Sequence, residues 1–247
     1  MVQPPARVFD DVPVLCGHRG SGRGVVGGQE ENTLGSFRAA VAAGIPWVEV
    51  DVRRSSDGVL VASHDPIAGA PAAELALMLI EELLEDLPPE IGINLEIKTA
   101  LEDARLPREG TTAALTADLA KRAGRGRPLL ATSFDPSAPL IVRERAPEVP
   151  VGLLTWIRFP LRKAVPAAVH LGMDVVAPHV QSLQLEPTEL AAAVHIAHDA
   201  GLQVHVWTLN RRAEMERALD LGADGIMTDQ IVLLREVLTE RGLWNQN

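Results

Sequence analysis

The chain of 247 residues has a single cysteine, Cys16, so no disulfide can form within it and a disulfide-stapled scaffold is excluded. Positive charge is also scarce: 23 lysines and arginines stand against 33 acidic residues, for a formal net charge of -10. A nucleic-acid binder must neutralise phosphates with a basic face, and the bulk charge supplies none. Long apolar runs are absent too. No stretch approaches the roughly 18 residues of a membrane span. The opening MVQPPARVFDDVPVL lacks the apolar centre of a secretory leader. The expectation is a soluble, cytoplasmic protein with no nucleic-acid partner and no stable membrane insertion.

What is present is a rhythm. Short apolar runs alternate with longer helical patterns, the arrangement of βαβ units around a parallel sheet. Strands are expected at 13–17, 47–52, 93–98, 129–134, 149–155, 174–179, 203–209 and 224–229. One helix is expected over 31–43, closed by Gly44, and another over 72–87, stopped by Pro88-Pro89. VLVASH reads as a hairpin-like arm after the turn Ser56-Asp57-Gly58, and Gly201 and Gly222 read as left-handed helix caps. The glycine-rich piece GSGRGVVGGQ at 20–29 reads as a loop; its third glycine is misplaced for a dinucleotide fingerprint. Eight strands and eight helices without a break in composition predict an α/β fold, a single (β/α)8 TIM barrel. It would span 1–247 as one domain with its core from about 13 to 240, a normal length for that fold. An open doubly wound sheet is the structural alternative.

Barrel strands are buried on both faces and should read as apolar. Several of these do not, and the polar residues keep one parity. Val48, Val50 and Val52 share a face, which leaves Trp47, Glu49 and Asp51 pointing into the barrel. Ile93, Leu95 and Ile97 share a face, opposite Asn94, Glu96 and Lys98. Cys16 and His18 point inward from the first strand, and Gln203, His205 and Trp207 from the seventh. Three carboxylates, Glu49, Asp51 and Glu96, would converge and repel unless one takes up a proton or a cation joins them. A hard divalent ion, Mg2+ or Ca2+, takes oxygen ligands of this kind. An ion-pair network with Arg53, Arg54 or Lys98 is the plainer alternative.

His18 follows the first strand and His64 the arm after the second, both at the end of the barrel where such enzymes keep their chemistry. A histidine pair can give and take protons near neutral pH, although either alone is more often structural. Arg19 and Lys98 beside them suit a phosphate. His205 reads as a packed core residue, His195, His198 and His170 as surface residues, and His179 as a residue that either lines the pocket or does not.

The motifs Gly17-His18-Arg19-Gly20, Glu31-Asn32-Thr33-Leu34, Glu49-Val50-Asp51, Ser63-His64-Asp65, Leu95-Glu96-Ile97-Lys98, Ser133-Phe134-Asp135, Val206-Trp207-Thr208 and Gly222-Ala223-Asp224-Gly225 occur in an order and spacing that resembles the glycerophosphodiester phosphodiesterase family. The resemblance runs from Gly17 to Asp229. It implies a phospholipase-C-like TIM barrel, a phosphoric diester hydrolase of lipid and glycerol metabolism that splits small glycerophosphodiesters into an alcohol and glycerol 3-phosphate. It also implies Glu49, Asp51 and Glu96 as ligands of Mg2+ or Ca2+ (or Mn2+), and His18 and His64 as the acid–base pair. Arg19, Lys98 and Trp207 would hold phosphate and substrate, and Glu31 and Asn32 would support the site from the first helix. Two features depart from the pattern. The insertion that usually follows the His-Asp motif is nearly absent, and Gln230 stands where a Tyr-Pro often follows the aspartate. An open mouth also fits a lysophospholipase D-like enzyme, with Trp156, Ile157, Phe159 and Leu161 as a lipid-facing rim. A non-catalytic phosphate-ligand-binding barrel is a further alternative.

Overall fold

Alternating valines and isoleucines in the second and third strands pack one face of each against helices and leave the other face to the barrel interior. The computed structural model describes residues 7–10, 13–67, 69–124, 126–184 and 187–244. Residues 1–6, where the N-terminal segment considered above begins, lie outside the described residues. The barrel strands are β1 (Val14–Gly17), β2 (Trp47–Arg54), β3 (Gly92–Ile97), β4 (Leu129–Ser133), β5 (Val151–Leu154), β6 (Val175–Ala177), β7 (Gln203–Val206) and β8 (Gly225–Thr228). Each pairs in parallel with the next, and β1 pairs with both β8 and β2, which closes the barrel. The helices between and after them are α1 (Leu34–Ala42), α2 (Ile80–Asp86), α3 (Thr112–Ala123), α4 (Ser137–Arg145), α5 (Leu161–His170), α6 (Pro187–Asp199), α7 (Arg212–Asp220) and α8 (Ile231–Glu240). The expected (β/α)8 architecture is therefore the observed one, and the open sheet is excluded.

Val48, Val50, Val52, Ile93, Leu95, Ile97, Val204 and Val206 all join the outer core between strands and helices. The barrel floor is a separate apolar cluster of Val14, Cys16, Trp47, Leu130, Val175 and Met227, plugged by Phe9 from the N-terminal segment. The Phe9 ring meets Trp47 and His205 edge-on, each at 5.1 Å between centroids. The Gln203 side chain accepts from the amides of Val8 and Phe9 and donates to the Phe9 carbonyl, which fixes the plug. Trp47 lies across its register partner Gly92; a Cβ there would stand 2.2 Å from the indole.

Three local expectations need correction. The helix expected over 31–43 begins at Leu34, because Asn32 takes a left-handed φ of 57° and the Thr33 side chain caps the amide of Ser36. The helix expected over 72–87 splits into the single turn Ala72–Leu75 and α2. Between them Ala76 turns left-handed, Met78 accepts from Ala62, and Leu79 bridges Val61, so pairing with the antiparallel arm Leu60–Ala62 outweighs helical propensity. Part of the glycine-rich loop is a hairpin, Val25–Val26 against Gln29–Glu30. Gly27 and Gly28, both at positive φ, form its turn.

His205 is buried in the floor, and neither ring nitrogen has a hydrogen-bond partner. Burial pulls its pKa down to about 4. The unfolded chain would then hold a proton on this ring that the folded chain refuses between roughly pH 6.5 and 4. Its contribution is neutral above that window and destabilising as pH falls through it, by on the order of 3 kcal/mol at the acid end. In urea unfolding measured from pH 7 to 4, His205→Leu should flatten the acid loss of stability. An unchanged slope would remove His205 as a cause.

Candidate active site

Register builds the site. Asp51 of β2 sits beside Glu96 of β3, and Glu49 lies two residues deeper on the same face. Carboxylate oxygens of the three lie within 4.8 Å of one another, and all three residues are buried. β1 ends at Gly17, opposite Val48, so the next residue, His18, arrives beside Glu49 with Nε2 3.9 Å from Oε2. The chain then doubles back. Arg19 and Gly20 take φ of 53° and 93°, and a Cβ on Gly17 would be 2.1 Å from the Gly20 carbonyl oxygen. This turn aims the Arg19 amide at Glu49 (2.9 Å) and brings its guanidinium to Asp51 (3.2 Å) and Glu31 (2.6 Å).

Lys98, one step beyond β3, bridges Asp51 Oδ1 at 2.9 Å and Glu96 Oε1. Asn32 donates to Asp51 Oδ2 at 2.8 Å and accepts from the Asp51 amide. Glu31 accepts from Arg19 and from the Gly24 amide. Both supporting residues are thus in place, but from the turn before α1 and not from the helix itself.

The two histidines are held alike. His18 Nδ1 pairs with Asp229 at 2.7 Å and His64 Nδ1 with Asp65 at 2.9 Å. In each pair the ring Nδ1–H donates to a carboxylate, which leaves Nε2 as the nitrogen free to exchange protons. His18 is buried under the mouth, whereas His64 is half exposed at the rim, its carbonyl gripped by Arg53. Asp229 is fixed further by Asn210 and by the Arg23 amide. Burial would raise its pKa, but the His18 hydrogen bond and charge, Asn210 and the Arg23 amide outweigh it and hold Asp229 down at about 2.

Trp207 follows β7 and stands at the rim with its indole N–H on the Ala177 carbonyl at 2.9 Å. It meets Phe134 and His179 edge-on, at 5.3 Å and 4.8 Å, and Phe134 stacks on Trp156 at 4.4 Å. His179 therefore belongs to the wall of the mouth. Leu161, expected at the rim, is instead buried as the first residue of α5. His198 pairs with Asp224 at 2.8 Å, and His195 is exposed. In the sequence, Phe134 stands only within a motif, Asp229 only at the end of the resemblance, and Asn210 in none of the motifs quoted above. Their pairing partners lie far along the chain, and no local signal reveals them.

Charge decides what the carboxylates can hold. Burial and then the neighbouring Asp51 and Glu96 push the Glu49 pKa well above the usual carboxylate range. Burial and Asp51 raise Glu96 as well, although Lys98 pulls the other way. Burial also works against ionisation of Asp51, but Lys98, Arg19 and Asn32 outweigh it and hold its pKa low. Arg19 and Lys98 are thus too few to keep all the acids ionised. Glu49 Oε1 is buried without a hydrogen-bond donor, an acceptor that a cation would satisfy. An all-oxygen set of this kind fits a divalent metal.

A closed parallel barrel with such a buried acidic centre, Arg19 and Lys98 on its carboxylates and the His18 imidazole beside it, has the makings of a phosphoric diester hydrolase. The comparisons with known proteins agree. The model of the "Glycerophosphoryl diester phosphodiesterase family" matches residues 18–74 and 66–233. The Mycobacterium tuberculosis protein named "Probable glycerophosphodiester phosphodiesterase 2" is 30% identical over 241 residues, 87% of each chain. Lysophospholipase D GDPD1 of Rattus norvegicus is 25% identical over 280 residues, 88% of this chain and 85% of its own. A phosphodiesterase of Oleispira antarctica, solved with the product sn-glycerol-3-phosphate, superposes with a TM-score of 0.79 at 23% identity, over 95% of this chain and 100% of that one. The chain belongs to the glycerophosphoryl diester phosphodiesterase family.

If the carboxylates hold a divalent cation, adding Mg2+ or Ca2+ should raise the unfolding temperature in a saturable way. At a hundred times Kd the gain is about 2.7 kcal/mol. Glu49→Gln should abolish the rise; an equal rise in this variant would contradict binding at the centre.

Proposed function

We propose that the chain hydrolyses glycerophosphodiesters to an alcohol and sn-glycerol 3-phosphate with the help of Mg2+ or Ca2+, Mn2+ being an acceptable substitute. The observation that carries this reading is the convergence of Glu49, Asp51 and Glu96 beside His18, within the family framework. The presence of sn-glycerol-3-phosphate in the Oleispira antarctica structure supports the same product class.

Glu49, Asp51 and Glu96 would hold the cation, which when bound supplies positive charge to offset what develops on the phosphoryl oxygens. Arg19 and Lys98 would orient the phosphate, Arg through a planar fork and Lys as a point charge. Each already faces the carboxylates, at 3.2 Å and 2.9 Å from Asp51, so a phosphate would be drawn to the edge of the centre. One imidazole takes the proton of the attacking hydroxyl, from water or from the adjacent glycerol carbon, as its oxygen forms a bond to phosphorus. The other gives a proton to the alcohol oxygen as its bond to phosphorus breaks. Attack by water gives glycerol 3-phosphate at once; attack by the glycerol hydroxyl gives a cyclic phosphate, which water then opens as one imidazole takes the water proton and the other returns a proton to the glycerol oxygen. Asp229 and Asp65 keep both rings in the Nε2-reactive tautomer. Trp207 and Phe134 wall the exit taken by the alcohol. Glu31 and Asn32 would act through Arg19 and Asp51.

A second reading rests on the short stretch between His64 and the turn Ala72–Leu75, which leaves the mouth without a long covering segment. A lysophospholipid headgroup would then reach the same centre with its chain outside.

Loss of one acid or base is worth about 10² to 10⁴ in rate. His18→Ala and His64→Ala should each lose at least about a hundredfold in turnover of glycerophosphocholine while the circular dichroism stays native. Normal turnover in both variants would refute the pair. Glu96→Gln should need more added cation to regain activity after EDTA; an EDTA response identical to the unaltered chain would remove Glu96 from the ligand set. Release of choline from glycerophosphocholine against lysophosphatidylcholine decides between the two substrates.

A further inference from the structure

The turn after β5 carries three large apolar side chains that the core does not use. Trp156, Ile157 and Phe159 are 65%, 58% and 37% exposed. The Phe159 amide donates to the Trp156 carbonyl at 3.0 Å, and Arg158 between them takes a φ of 60°, so the chain bends sharply. Soluble surfaces carry single exposed apolar residues routinely, but several together on one turn mark a contact surface.

Two further observations say what covers it. The first is charge. In a chain of net -10, this turn and the start of α5 carry Arg158, Arg162 and Lys163, all exposed. Arg162 has a counter-ion, Glu189, and Arg158 has a neutral partner, Gln181. The second is continuity with the active site. Trp156 stacks on Phe134, Phe134 meets Trp207, and Lys98 Nζ lies 5.8 Å from the Phe134 ring. An aromatic strip therefore runs from the phosphate side of the centre to the exposed turn. Tryptophan at the edge of an apolar tip, with arginine and lysine beside it, is the chemistry of an anionic lipid–water interface.

We propose that the turn Trp156–Phe159 docks on an anionic phospholipid surface and presses the open mouth of the barrel against it. Ile157 and Phe159 enter the acyl boundary, Trp156 lies at headgroup depth, and Arg158 and Lys163 face the lipid phosphates. This docking does not require the proposed reaction to be correct, and the two fail separately.

The test is co-sedimentation of the full chain with vesicles of equimolar phosphatidylglycerol and phosphatidylcholine, beside vesicles of phosphatidylcholine alone. The unaltered chain should bind the mixed vesicles, more weakly at high salt and more weakly to the neutral ones. The double variant Ile157→Ser/Phe159→Ser should bind about tenfold less or worse. Its turnover of soluble glycerophosphocholine should equal that of the unaltered chain. Failure of the unaltered chain to bind the mixed vesicles, or equal binding by the double variant, overturns the proposal. So does size-exclusion chromatography in which the unaltered chain is a dimer and the double variant a monomer, since the turn would then join two copies. If neither protein turns over any diester while vesicle binding follows the expected pattern, the reaction is wrong and the docking stands.

Discussion

Three carboxylates confined to one layer of a closed barrel set the terms for everything around them. Glu49, Asp51 and Glu96 are buried within hydrogen-bonding distance of few donors, and burial alone would neutralise them. The protein answers with Arg19 and Lys98 at the top, the Arg19 amide on Glu49, and Asn32 on Asp51. These groups hold Asp51 ionised but leave Glu49 with an unmet oxygen. Such a centre is costly as a structural feature and apt as a cation site, because partly satisfied buried ionic groups are poor sources of stability.

The barrel separates this cost from the rest of the fold. Below the carboxylates the interior is apolar, sealed by Phe9 against Trp47 and His205 and by the Gln203 clamp on the N-terminal segment. Outside, the valine and isoleucine faces of β2 and β3 meet the helices. Rigid packing on both sides fixes the register that sets Asp51 against Glu96. The proposed chemistry then sits at the strand ends, on the loops that carry His18, His64 and Trp207.

Much of this is legible in the sequence because a strand buried on both faces tolerates polar residues only for a reason. The parity of Glu49, Asp51, Glu96 and Lys98 against the valines and isoleucines gives the inward face directly, and the observed faces agree. What sequence leaves hidden comes from distant partners. Asp229 meets His18 across more than two hundred residues, and Phe9 plugs a floor made by strands throughout the chain. Local signals also mislead where tertiary contacts win. Glu31 and Asn32 look like the first turn of a helix, yet Arg19 and Asp51 claim their side chains and the helix waits until Leu34. The helix expected through 76–79 gives way to pairing with the Leu60–Ala62 arm. The order of Trp156, Ile157, Phe159 and Leu161 fits core and rim alike, and only their burial separates the two: the first three are exposed and Leu161 is buried.

The account stands on a cation seated among Glu49, Asp51 and Glu96. Crystals grown with Mn2+ and measured near its absorption edge test this directly. A single anomalous peak about 2.0–2.6 Å from oxygens of all three side chains, with Lys98 moved off at least one of them, is the expected result. A map with no peak there, in which Lys98 still bridges Asp51 and Glu96, would contradict it.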